Sequence, residues 1–156
     1  MDITPYQISV SDEVLDDLHD RLAKTRWPEK ELVEDWSQGI PLSYVQEMSD
    51  YWLNSYDWRE REASLNRFDQ FTTSIGGCDI HFIHQQSPHA DAVPLILSHG
   101  WPGSVVEFHK VIEPLTNPTD HGGNPEDAFH VVCPSLPGYG FSGKPPDAGW
   151  GVEKMA

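Results

Sequence analysis

Two stretches rich in glycine and proline carry the residues whose types and spacing could do chemistry. The first is Leu97-Ser98-His99-Gly100-Trp101-Pro102-Gly103-Ser104. It closes an apolar run, Val93–Ser98, and precedes a segment with helical spacing, which is where α/β sheets place their sites. Gly100 and Gly103 let the backbone turn sharply. N–H groups in such a turn can converge on one point and stabilise an oxyanion. A tight strand-to-helix turn without chemistry accounts for the same residues equally well. Trp101-Pro102 is an aromatic–proline bond of the kind that adopts cis. The second stretch is Pro134-Ser135-Leu136-Pro137-Gly138-Tyr139-Gly140-Phe141-Ser142. Its Gly138-x-Gly140-x-x-Gly143 matches a dinucleotide fingerprint, but that fingerprint needs a helix N-terminus against the phosphates. Lys144-Pro145-Pro146 follows instead, so the stretch reads as a loop shaped by its glycines.

Other chemistries find less support. His81 and His84 lie three apart on an expected strand, face opposite sides and cannot share an ion. There is no HExxH and no Cys/His cluster, so no metal and no cofactor is expected. No G-x-S-x-G pentapeptide occurs, nor the same turn centred on Asp or Cys, so a hydrolase nucleophile elbow is missing. Ser104 and Ser142 lack that setting. The acids Asp12, Glu13, Asp16, Asp17 and Asp20 read as a solvated helix face. Cys78 and Cys133 sit in apolar stretches and read as buried free thiols, which fits a reducing cytoplasm.

The elements that must hold these residues follow from periodicity. Ser11 is a helix N-cap with Asp12 and Glu13 in the first turn. Val14, Leu15, Leu18 and Leu22 then form one apolar face, and Trp27-Pro28 ends the helix. Pro41 starts a second helix as its first residue, with Val45, Met48, Trp52 and Tyr56 on one stripe. A third helical piece covers Trp58–Leu65, and Glu29–Gly39 is an irregular link. Phe71–Ile75, Gly76-Gly77 and Cys78–Gln85 form a hairpin. Ile80, Phe82 and His84 take one face of its second strand, and His81, Ile83 and Gln85 the other. Val93–Ser98 and Phe129–Cys133 read as buried strands, separated by a helix over Val105–Leu115. Strand–helix–strand implies a parallel pair in a covered sheet. Pro134–Gly149 is irregular, and Val152–Ala156 begins another helix. The fold class is therefore α/β, with a sheet that looks unfinished.

Composition narrows the partners. The chain has 156 residues and a formal net charge of −15. A phosphate backbone is repelled by such a surface, so nucleic acid is not an expected partner. No apolar run reaches the roughly 18 residues of a membrane span, and no signal segment or membrane anchor opens the sequence. Six Trp and 11% aromatic residues point to a folded chain.

Taken in order, these motifs resemble the epoxide hydrolase family, in its microsomal-type branch with an N-terminal helical extension. Tyr6–Pro28, with Ile8-Ser9-Val10 and Thr25-Arg26-Trp27-Pro28, is similar to the start of that extension. Asp57-Trp58-Arg59 through Leu65-Asn66, Phe68 and Phe71 resemble its junction with the hydrolase core. Ile80–His84 resembles a core strand, and the stretches His99–Ser104 and Pro134–Ser142 resemble two loops of the core. The resemblance implies an N-terminal helical extension, residues 1–69, followed by the first strands of an incomplete α/β-hydrolase sheet, residues 70–156, roughly the first four. It implies hydrolysis of a small-molecule epoxide to a vicinal diol through an Asp-ester intermediate, with roles in detoxification and aromatic hydrocarbon catabolism. The Trp101 backbone N–H is implied as an oxyanion donor and its indole as part of the pocket wall. His99, Gly100 and Pro102 complete the substrate side of the turn. The family's nucleophilic Asp, catalytic His, its acid partner and the lid tyrosines find no counterpart in this chain, which is expected to be inactive alone. A fragment of another α/β-hydrolase, an esterase or dehalogenase, or an inactive binding remnant, remain alternatives. An unpaired sheet edge predicts self-association.

Overall fold

The computed structural model describes residues 2–155. Five strands form one sheet: β1 (Thr4–Tyr6), β2 (Gln70–Ile75), β3 (Cys78–Gln85), β4 (Val93–Ile96) and β5 (Phe129–Pro134), in the order β1-β2-β3-β5-β4. Helices are α1 (Asp12–Ala23), α2 (Leu42–Asn54), α3 (Trp58–Leu65), α4 (Ile112–Thr116) and α5 (Val152–Met155). Ala156, the last residue of the expected C-terminal helix, lies outside the described residues, as does Met1. The chain divides into two compact units. One is Ser9–Arg61, and the other holds the rest of the described residues.

In the sheet unit the hairpin forms where Gly76-Gly77 predicts it. Both glycines take positive φ, +58° and +79°, which L side chains adopt only at a cost. The β2–β3 ladder runs in register from Gln70↔Ile83 to Ile75↔Cys78. β4 and β5 pair in parallel, as a strand–helix–strand unit requires. The β1 strand, antiparallel to β2, is an addition to the expected set. Asn66 holds its end, accepting from the Ile8 N–H at 2.9 Å and donating to the Ile8 carbonyl at 2.8 Å. One core gathers Phe68, Ile83, Val105, Ile112, Val131 and Cys133, with Leu97, Phe108, Leu115 and Phe129 packed against it.

Two expectations are corrected here. The helix expected over Val105–Leu115 is a 3₁₀ turn, Val105–Phe108, followed by the separate α4. Pro114 explains the break. It lacks an N–H, and its ring collides with the carbonyl four residues back in a continuous helix, so it fits only within a first turn. The strand over Val93–Ser98 ends at Ile96 and is not buried: Val93 is 55% and Ile96 68% exposed. Its place at the sheet edge leaves one side open, and Pro94 suits such a position.

In the helical unit α1 begins after Ser11, as expected, although the Ser11 side chain makes no capping bond. It ends at Ala23 rather than at Trp27-Pro28. Thr25 Oγ1 donates back to the Arg21 carbonyl at 3.1 Å, a local bond that competes with continuing the helix. Exposed pairs Arg21–Asp17 and Lys24–Asp20 line its polar face. Pro41 is the N-cap of α2 rather than its first residue. The first helical N–H, on Leu42, is satisfied instead by Glu31 Oε2 at 3.0 Å. That bond holds the Glu31 carboxyl below its usual range. Neither α1 nor α2 buries a residue fully. Their apolar stripes, Leu15 and Leu18 with Val45, Met48 and Trp52, line an open cavity of about 1330 Å³.

Candidate active site: the Trp101 turn

The turn after β4 is closed by the Gly103 N–H donating to the Gly100 carbonyl at 2.7 Å. The Trp101–Pro102 bond inside it is cis. Ser104 then caps the 3₁₀ turn, its Oγ accepting from the Val106 N–H at 3.3 Å. Among the four residues singled out here, only His99 is buried; Gly100, Trp101 and Pro102 are exposed, Trp101 at 82%.

His99 joins the two glycine-rich stretches. The Leu136 N–H donates to its Nε2 at 3.1 Å. That nitrogen therefore carries a lone pair, the proton sits on Nδ1, and Nδ1–H donates to the Gly100 carbonyl at 3.2 Å. The ring also meets Tyr139 edge-on, centroids 5.4 Å apart. The Gly100 carbonyl thus accepts two hydrogen bonds, from Gly103 and from His99. It belongs to the same planar trans unit as the Trp101 N–H, so fixing the carbonyl fixes the N–H, which points to the opposite side. Among the described residues the Trp101 N–H has no acceptor. A fixed, exposed and unused N–H donor is what an oxyanion needs.

The stretch Pro134–Ser142 is held against β3 from below. The Ser135 N–H donates to the His81 carbonyl at 2.8 Å. Ser142 Oγ donates to the Ser135 carbonyl at 2.6 Å and accepts from the His81 N–H at 2.9 Å. Gly140, at φ +51°, would place a Cβ 2.9 Å from Ser135 Oγ. Gly143 would place one 3.3 Å from the Asp79 nitrogen. These glycines serve close approach of the loop to β3, and no helix begins at them.

His81 is fully buried, and both ring nitrogens are used. Gln70 Nε2 already donates to the Leu65 carbonyl and to Asn66 Oδ1. Its Oε1 is therefore the acceptor for His81 Nε2–H at 2.8 Å. That leaves His81 Nδ1 to accept from the Ser135 hydroxyl at 2.9 Å. Burial pushes His81 down to about 4. Cys78 and Cys133 are free and buried, as expected, and burial pushes the Cys133 thiol up to about 12, which makes it inert. Sequence reasoning singled out His99 and Gly100 but missed Leu136, Ser135, His81 and Gln70. A His on the inward face of a strand opposite a buried strand was the available signal.

Comparison with known proteins identifies the family and the fold. Residues 3–108 match the family model described as Epoxide hydrolase N terminus, and residues 93–156 match the one described as alpha/beta hydrolase fold. A protein of Stigmatella aurantiaca (strain DW4/3-1), whose name carries the words epoxide hydrolase, is 56% identical over 99% of this chain and 35% of its own length. Epoxide hydrolase 1 of Sus scrofa is 42% identical over 90% of this chain and 32% of its own. The solved epoxide hydrolase of Aspergillus niger superposes on 96% of this chain and 39% of its own, with a TM-score of 0.82 and 40% identity. The chain therefore spans about a third of the length of the curated relatives it matches, and its sheet is part of an α/β-hydrolase fold. Among the described residues no helix is long and apolar enough to cross a membrane. With the ordered motifs and these matches in agreement, the chain belongs to the epoxide hydrolase family.

Proposed function

We propose that this chain forms the front portion of an epoxide hydrolase, residues 1–69 as its N-terminal extension and 70–156 as the start of its core, acting on small-molecule epoxides. In this reading an Asp carboxylate, supplied from outside residues 1–156, attacks an epoxide carbon. The C–O bond breaks, and the ring oxygen takes a proton from a tyrosine, also supplied from outside. Water activated by a His–acid pair then attacks the ester carbonyl. The tetrahedral oxyanion accepts from the Trp101 N–H, collapses to regenerate the carboxylate, and releases the diol, while the proton the His took from water returns to the tyrosinate. Splitting one hard step into two is the logic of covalent catalysis. His99 and Gly100 hold the donor, and Trp101 and Pro102 present its substrate side. The observation that carries the reading is the Trp101 N–H, held at its peptide's other end and without an acceptor among the described residues. Free buried cysteines suit a reducing cytoplasm, and the exposed edge of β4 suits self-association.

The test is diol formation from styrene oxide. The 156-residue chain alone is expected to form none above buffer. The polypeptide encoded by the full reading frame is expected to form it. There, Trp101→Phe keeps the N–H and most of the activity, whereas Trp101→Pro removes the N–H and costs about 10²–10³ in kcat. Turnover by the short chain alone, or equal activity of the two variants, overturns the assignment.

A further inference from the structure

The hydrogen bonds around His81 and those around His99 meet in one dipeptide. Ser135 takes the His81 side chain on its hydroxyl, and the next residue, Leu136, fixes the His99 ring through its N–H. A continuous series runs inward from the turn: Gly100 carbonyl, His99, Leu136 N–H, Ser135, His81, Gln70, Asn66 and the Ile8 backbone. His81, Ser135 and His99 are buried at 0%, 0% and 4% exposure. No buried side-chain polar atom among the described residues lacks a partner. Such a network has little slack, because any member that loses its partner leaves a buried polar group unmet.

We propose that His81 is a positioning residue for the Trp101 oxyanion donor, acting through Ser135 and Leu136 on the His99 ring. Its neutral Nδ1 accepts the Ser135 hydroxyl and, together with the Ser135 N–H bond to the His81 carbonyl, sets the height of Ser135–Leu136 above β3. Leu136 in turn sets the tilt of His99, and His99 sets the plane of the Gly100–Trp101 peptide. The groups packed against His81 are Tyr6 from β1, Gln70 from β2, and Ser135 and Phe141 from the loop. Of these only the Tyr6 phenol titrates, and burial pushes it up. No charged side chain contributes to the depressed basicity of His81, which burial alone accounts for. Protonating His81 turns Nδ1 from acceptor into donor and reverses the Ser135 bond, so the setting of the turn is coupled to the protonation of a residue that substrate never touches.

The inference rests on the Trp101 donor assignment, but its readout needs no turnover. A ¹⁵N-labelled chain is followed by NMR. In Ser135→Ala the backbone bonds of residue 135 remain. The Leu136 and Gly103 amides are expected to exchange about tenfold faster, while the β3 and β5 amides of Ile83 and Val131 change less than about twofold. The His99 ring nitrogens should lose their single-tautomer signature, and Ser135→Thr, which keeps the hydroxyl, should restore it. In the unsubstituted chain, Leu136 and Gly103 shifts should follow the His81 ring titration near pH 4. Loop and sheet amides that respond together in every case, or a His99 tautomer indifferent to Ser135→Ala, overturn the proposal and leave His81 a core residue only. A confirmed relay in a polypeptide that forms no diol overturns the activity assignment alone.

Discussion

At the scale of single residues the molecule depends on two histidines in opposite tautomers. His99 keeps its proton on Nδ1 because a backbone N–H occupies Nε2. His81 keeps its proton on Nε2 because the Gln70 Oε1, which can only accept, faces that nitrogen, and the Ser135 hydroxyl then donates to Nδ1. The second arrangement has a pH signature. The folded chain holds His81 near 4 against an ordinary value of 6.5, so between these values the unfolded chain binds a proton that the folded chain refuses. The stability that His81 contributes is complete above about pH 6.5, declines as pH falls, and is gone below about pH 4. Urea unfolding of the parent and of His81→Gln measures this. The difference between their midpoints should narrow from pH 7 to pH 4, and a difference independent of pH refutes the buried neutral imidazole.

At the scale of elements, local chemistry sets each start and stop. Pro114 divides the segment after the Trp101 turn, Gly76-Gly77 joins β2 to β3, and Glu31 satisfies the N–H that Pro41 cannot reach. The short β1 is the exception. Three residues of strand form too few ladder bonds to hold the chain by themselves, and Asn66 supplies the anchor with two bonds to Ile8. Asn66→Ala should therefore cost about 1–3 kcal/mol of stability. It should also raise amide exchange at Ile8 and Thr72 before it raises exchange in β5. Uniform exchange across the sheet shows instead that β1 is held by its ladder.

At the scale of the whole molecule, charge and edge oppose each other. A net charge of −15 keeps copies apart. The exposed Val93 and Ile96 on the edge strand offer unpaired backbone and apolar surface. Sedimentation should show association that grows with concentration and with added salt, which screens the repulsion. Ile96→Lys, at a position 68% exposed, should suppress association with little loss of stability. An unchanged sedimentation profile clears β4 of that role.

Spacing along the chain was sufficient for whatever is decided within a few residues. The α1 and α2 stripes, the glycine hairpin, the cis bond after Trp101 and the buried thiols were all legible, and the strand–helix–strand order implied the parallel pair. So was the ordered set of motifs that marks the family, because each motif is contiguous. Tertiary structure decided what depends on partners far apart in sequence. Asn66 meets Ile8 across 58 positions, His81 meets Ser135 across 54, and His99 meets Leu136 across 37. No periodicity records such pairs, since their geometry exists only once the sheet order brings β3 beside β5. The same order moved an apolar run that reads as buried to the sheet edge. It also placed a histidine that cannot share an ion with His84 in the buried network that reaches the Trp101 turn. Local propensity wrote the elements, and burial then assigned the polar side chains their partners, because an unmatched donor or acceptor in the interior costs more than the bond that satisfies it returns.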